Sequence, residues 1–135
     1  MTTHNNQSDI QVVQGIYEAF SRGDVPAILS EVTEDAHWCN LYGQHLFPGH
    51  WGKPAHNHEE IKDFFRVLSE EIEVHSLEPQ EFLAERGRVV VILRWRGVAR
   101  RTGRSFDTML VHLWTVKDGK VVEYIGLDDP TAYGF

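Results

Sequence analysis

The stretch Ser105–Asp129, SFDTMLVHLWTV-KDGK-VVEYIGLDD, decides the fold. Lys117-Asp118-Gly119-Lys120 is a tight hairpin signal between two runs rich in β-branched and aromatic residues. Ser105–Val116 and Val121–Asp129 are therefore predicted to be paired antiparallel strands, the second closing the sheet. Upstream, Arg101-Thr102-Gly103 turns the chain out of the β-prone segment Val89–Ala99. Glu85-Arg86-Gly87-Arg88 turns it out of Val74–Glu85, where Pro79 predicts a bulge or an edge position.

Before Val74 the period changes. Ser8 or Asp9 is the expected cap of a first helix, along which Ile10, Val13, Tyr17 and Phe20 recur on one face. Gly23 suits the left-handed residue that ends it. Asp24 is expected to cap a shorter second helix, with Pro26 in its first turn. Ala36–Tyr42 reads as a first strand, with Trp38, Asn40 and Tyr42 on one face. Residues 43–56 read as a loop. Asn57 and Glu60 form a capping pair for a third helix, whose apolar side is Ile61, Phe64, Phe65, Leu68 and Ile72. Helices first and hairpin-linked strands afterwards predict an α+β domain, with N-terminal helices on a curved, mainly antiparallel sheet enclosing a pocket. Residues 1–7 are expected to be a frayed tail and 8–135 a single domain.

The 135 residues carry a net charge of −7, which disfavours nucleic acid and anionic membranes as partners. Arg94, Arg96, Arg100, Arg101 and Arg104 cluster, as expected of a solvated strand face. Cys39 is the only cysteine, so no internal disulfide forms. Neither a signal core nor a bilayer-length apolar run is present, and a cytoplasmic location is the expectation.

Three blocks carry a resemblance. They are Val13-Gln14-Gly15-Ile16-Tyr17-Glu18-Ala19-Phe20-Ser21-Arg22-Gly23-Asp24; Thr102-Gly103-Arg104-Ser105-Phe106-Asp107 followed by His112-Leu113-Trp114; and Asp118-Gly119-Lys120-Val121-Val122 with an aspartate near the end. In this order and spacing the chain resembles SnoaL-like proteins. The resemblance implies the cone-shaped fold shared by nuclear transport factor two, ketosteroid isomerase, limonene epoxide hydrolase and SnoaL-type polyketide cyclases. It also implies a small-molecule pocket between sheet and helices, and a homodimer formed through the sheet. It implies no cofactor and leaves function open, because this fold hosts enzymes, binders and scaffolds.

Cyclase-like members carry a proton-shuttling aspartate at the end of the last strand, and the match falls on Asp129. Asp128 beside it would face the other way. His112, matching a histidine of the family, is the expected partner of Asp129. Asp107 has the wrong parity to form a dyad with His112. Arg94 lies opposite the apolar face of its strand, so the epoxide hydrolase set of two carboxylates and an arginine is not evident. Tyr17 could match the ketosteroid isomerase tyrosine. Tyr17, Trp38, Tyr42, Phe64, Trp95 and Trp114 are the expected aromatic lining, with Asn40 a polar contact. His45, His50, His56 and His58 lie in or beside the loop, where a ligand-touching lid is favoured over a metal centre; no metal is expected. The chemistry this set suits is proton transfer at a carbon next to a carbonyl, in isomerisation or cyclisation of an apolar polyketide- or steroid-like molecule. A non-catalytic ligand binder and a dimeric adaptor are the alternatives.

Overall fold

The computed structural model describes residues 5–135. Helix α1 spans Asn6–Ser21, and its cap is Asn5, whose side chain accepts from the Ser8 amide. Ser8 and Asp9 therefore lie inside the helix, and Asn5–Gln7 belong to the domain rather than to a tail. The rest of the predicted tail, residues 1–4, lies outside the described residues. Gly23 takes a φ of 67° and donates its amide to Phe20, ending α1 as expected. Asp24 caps α2, Val25–Ser30, through the Ala27 amide.

Strand β1 spans Val32–Asn40, starting and stopping earlier than its alternation suggests. The segment read as a loop holds a 3-10 turn at Gln44–Leu46 and a short helical turn, α3, at Gly49–Gly52. Helix α4, His58–Glu71, is capped by the Asn57 side chain at the Glu60 amide. It runs straight into β2, Ile72–Glu85, so Ile72 opens a strand and pairs with Ala99. Strands β3, Arg88–Ala99, β4, Arg104–Lys117, and β5, Lys120–Leu127, complete one sheet in the order β1-β5-β4-β3-β2. The sheet is mixed: β1 lies parallel to β5, and the other pairs are antiparallel. Arg86 and Gly87, and again Asp118 and Gly119, have positive φ, the backbone of the tightest hairpin turns. Pro79 sits on an edge strand beside a register shift, where its missing amide breaks no ladder.

Helices α1 and α4 bury Val13, Ile16, Ile61, Phe64 and Leu68 against one face of the sheet. Val89, Val91, Leu93 and Trp95 of β3 face the same core. The opposite face carries Arg94, bonded to Asp107, and Arg96, bonded to Glu78, so these two members of the arginine cluster are solvated cross-strand pairs. The 43–56 segment pairs with β1 through the Trp38 and Ala55 backbones and is closely packed on itself. A Cβ on Gly52 would collide with the carbonyl oxygens of both Gln44 and Phe47. Gly52→Ala is therefore expected to lower stability by at least about 2 kcal/mol, read from urea melts, because neither obstacle is a side chain able to turn away.

Candidate functional site

Gly126 lies near the end of β5, between β1 and β4. Its register partners are Asn40 on β1 and His112 on β4. Tyr124 and Asp128 precede and follow it by two residues, which places them on the same face. Asn40, His112 and Asp128 are buried polar residues, and Tyr124 is buried beside them. Together with Tyr17, Trp38, Trp51, Phe64, Trp95 and Trp114, they line a cavity of about 60 Å³ between sheet and helices. Phe20, Ile28, Phe65, Leu68 and Leu77 line both this cavity and an adjoining groove of about 1120 Å³ bordered by α1, α2, α4 and β2.

Two hydrogen-bond chains of the same design end in the cavity. Trp114 Nε1 donates to Tyr17 Oη at 3.0 Å, and Tyr17 Oη lies 2.7 Å from His112 Nδ1. Trp114 takes one acceptor position of Tyr17 Oη, and the tautomer that leaves the buried phenol proton paired has His112 Nδ1 accepting from Tyr17 and the imidazole proton on Nε2. In the second chain Trp95 Nε1 donates to Tyr133 Oη at 2.9 Å. Tyr133 Oη in turn lies 2.8 Å from both carboxylate oxygens of Asp128. Burial pulls the His112 imidazole down to about 3, so it is neutral at physiological pH. Burial raises the Asp128 carboxyl to about 6, against the opposing pull of the Tyr133 hydrogen bond. Burial also raises the phenols of Tyr17, Tyr124 and Tyr133, keeping them protonated donors.

The structure corrects the aspartate. Asp129 is exposed, and its carboxylate caps the 3-10 turn Pro130–Tyr133 by accepting from the Thr131 amide and hydroxyl. Those bonds hold Asp129 below the usual carboxylate range, the reverse of what a proton shuttle needs. Asp128 occupies the cavity instead. The cause is a bulge: Val116 faces Val121 while Thr115 faces Glu123, leaving Val122 over. Strict alternation from buried Val121 would turn Asp129 inward; the extra residue transfers the inward face to Tyr124, Gly126 and Asp128.

Tyr42 is also corrected. Its exposure is 61%, and it lies outside the cavity, because β1 ends at Asn40 and Gly43 turns the chain with a φ of 66°. Tyr17, Trp38, Asn40, Phe64, Trp95 and Trp114 all reach the cavity wall, as does His112. Asp107 points away, paired with Arg94 at 2.7 Å, as its parity indicates. Sequence reasoning missed Trp51, Tyr124 and Tyr133. Tyr124 shares its parity with Gly126 and Asp128 and was open to detection; Trp51 and Tyr133 sit in short irregular turns that carry no period.

The histidines of residues 45–58 do other work. His50 Nδ1 lies 2.7 Å from Asp63 of α4, and with Arg66 it holds that carboxyl down at about 2. His58 Nε2 lies 2.9 Å from the Val32 carbonyl. The His56 ring meets that of His37 at a tilt, with 5.1 Å between ring centroids, and His45 is exposed. None of the four lines the cavity.

No helix among the described residues is long and apolar enough to cross a membrane. No curated protein matches the chain. An NTF2-like protein of unknown function from Burkholderia pseudomallei is 32% identical, with 92% of each chain covered and a TM-score of 0.82. TerC, co-crystallised with polyporic acid, is 26% identical over 94% of this chain and 95% of TerC, with a TM-score of 0.83. IdmH of Streptomyces antibioticus, a proposed polyketide cyclase, shares the fold at 19% identity, with 93% and 94% covered and a TM-score of 0.75. The model of the SnoaL-like domain matches residues 13–124, over the helices and all five strands, and the chain belongs to the SnoaL-like domain family.

Proposed function

We propose that the protein binds a small, flat, largely apolar carbonyl compound and catalyses proton transfer at the carbon next to the carbonyl, with Asp128 as general base. The observation that carries this reading is a carboxyl group buried in an aromatic cavity, bonded to one phenol, with its proton affinity raised to about 6. Such a group is ionised at neutral pH yet basic enough to accept a carbon-bound proton, so it can both take and return one. Ketosteroid isomerase uses carboxyl groups in an apolar site in this way.

The Asp128 carboxylate takes the proton, the C–H electron pair forms a C=C bond, and the carbonyl π pair moves onto oxygen. Neutral His112 donates from Nε2 to that oxygen, its tautomer fixed by Tyr17. Asp128 then returns the proton at another carbon for isomerisation, or the enolate carbon attacks a second carbonyl of the same ligand, whose π pair moves onto its oxygen and takes the proton back from Asp128, for ring closure. The cavity of about 60 Å³ receives the reacting end, and the groove beside it the remaining apolar body. TerC, the structural neighbour co-crystallised with polyporic acid, supports a small-molecule ligand. Leu83 and Met109, exposed on the outer sheet face, supply apolar surface for a cytoplasmic homodimer.

The test uses 2-indanone as probe, following exchange of its α-protons for solvent deuterium by NMR. Wild type is expected to exceed the buffer rate, Asp128→Asn to fall at least about a hundredfold, and Asp129→Asn to match wild type. The wild-type rate should rise with pH and level off above about 6, as the carboxyl ionises. Equal exchange by wild type and Asp128→Asn would remove Asp128 from the mechanism.

The same carboxyl sets a stability trend. Its folded pKa of about 6 lies above the ordinary value of 3.8. The stabilisation from its protonated form is therefore complete below about pH 4 and lost as pH rises through about 6. At pH 7.5 the ionised group costs on the order of 2 kcal/mol. Asn keeps an acceptor for Tyr133 without the charge, so Asp128→Asn should be more stable than wild type at pH 7.5 by that order, with no gain at pH 4. Thermal melts at the two pH values check it.

A further inference from the structure

Gly126 is required by space rather than by backbone conformation. It is not among the glycines with positive φ, yet a Cβ there would lie closer than 3.0 Å to both Asn40 Oδ1 and Tyr124 Oη. The two oxygens flank one point and are no more than about 5 Å apart, a span that one bridging oxygen covers with two ordinary hydrogen bonds. The orientation of the Asn40 amide is set by its other end. Nδ2 donates to the Trp51 carbonyl at 2.8 Å, and a carbonyl only accepts, so Oδ1 is the atom beside Tyr124. Asn40 and Tyr124 both line the cavity, and neither Asn40 Oδ1 nor Tyr124 Oη forms a hydrogen bond with the described residues, whereas Tyr17, His112, Tyr133 and Asp128 all do.

These two atoms are chemically complementary. Tyr124, kept protonated by burial, offers a donor, and Asn40 Oδ1 an acceptor. A hydroxyl satisfies both at once: its oxygen accepts from Tyr124 and its proton goes to Asn40. A carboxylate or ether oxygen has no proton for Asn40, and an ammonium has no lone pair for Tyr124. Buried groups of this kind gain most from a ligand that pairs both and lose most with one that pairs neither.

We infer that Tyr124 and Asn40, above Gly126, form a hydroxyl-binding subsite of the cavity. This inference deepens the acid–base reading and rests on it for the placing of the carbonyl. His112 stands across the ladder from Gly126, and Asp128 lies two residues further along the strand, about 7 Å away at strand spacing. A ligand with its carbonyl oxygen at His112 and its acidic carbon at Asp128 therefore carries a hydroxyl only a few bonds away. The substrate class is a β-hydroxy carbonyl compound or an enolised 1,3-dicarbonyl.

Three bicyclic probes of one shape test the subsite: 2-indanol, 2-indanone and indane, each titrated against the folded protein by calorimetry or NMR. Tyr124→Phe and Asn40→Ala are each expected to weaken 2-indanol about fivefold and leave indane unchanged. 2-Indanone, with no proton to give, should bind Asn40→Ala as it binds wild type. Gly126→Ala, which keeps both polar groups and fills the space between them, should also weaken 2-indanol. Because Asn40 anchors the Trp51 carbonyl as well, Tyr124→Phe decides the matter if Asn40→Ala does not fold. Equal binding of 2-indanol by wild type and Tyr124→Phe overturns the subsite while leaving proton transfer at Asp128 intact. Loss of the Tyr124 effect and of deuterium exchange are thus separate results, and failure of all three probes to bind removes both.

Discussion

A tryptophan N–H can donate a hydrogen bond but cannot accept one, and the polar half of this cavity is organised by that asymmetry. Trp114 and Trp95 each hand a hydrogen bond to a phenol, and each phenol keeps its own buried proton paired by sending it onward, to His112 in one chain and to Asp128 in the other. The direction of both chains is fixed without any charged partner. The imidazole keeps its proton on Nε2, and the carboxylate receives a donor although no cation is within reach. An arginine in place of Tyr133 would hold Asp128 strongly ionised and weaken it as a base. A neutral donor leaves its proton affinity high.

The aromatic residues that conduct these bonds are also the packing of the core. Trp38 meets Phe64, Phe65, Trp114 and Tyr124 at centroid separations of 4.4 to 5.7 Å, mostly edge-on or tilted. Such contacts fix ring planes as well as bury area, and each pair adds about 0.5–1.5 kcal/mol beyond burial. Positioning of the relay and stability of the domain are therefore not separable: the side chains that aim the protons are those that hold helix to sheet. Trp38 Nε1 itself is sealed and has no partner among the described residues, a local cost accepted by a ring that touches four others.

Much of this could be read from the chain because strands and helices repeat. The hairpin at Asp118-Gly119, the stripe from Val13 to Tyr17 and the inward set Leu110, His112 and Trp114 follow from spacing alone. Alternation failed where the ladder slips. Nothing in Val121-Val122-Glu123 announces that Val122 will be left unpaired, since all three suit a strand, yet that one residue decides whether Asp128 or Asp129 enters the cavity. The Trp51 and Tyr133 rings arrive from a four-residue helical turn and a 3-10 turn, whose seating depends on contacts far away in sequence. Tyr133 in particular reaches Trp95 across 38 residues, a pairing no local pattern contains.

The buried carboxyl is the feature that separates an enzyme from a passive container. An apolar ligand needs only the aromatic wall, and a cavity built solely to hold one would be more stable with an amide or an alkyl group at position 128. Ionisation of Asp128 opposes folding near neutrality, and the surrounding residues do nothing to relieve it beyond one phenol. His112 has the opposite sign: its folded pKa of about 3 means that its contribution is intact above about 6.5 and is lost as the pH falls. Between them the pair makes the ionised carboxylate and a neutral imidazole the arrangement at physiological pH, one base and one neutral donor lining the same cavity. Local rules of stability are broken in natural proteins chiefly at functional sites. The presence of such a carboxyl group in the wall of an aromatic cavity is what favours proton transfer over storage as the use of the site.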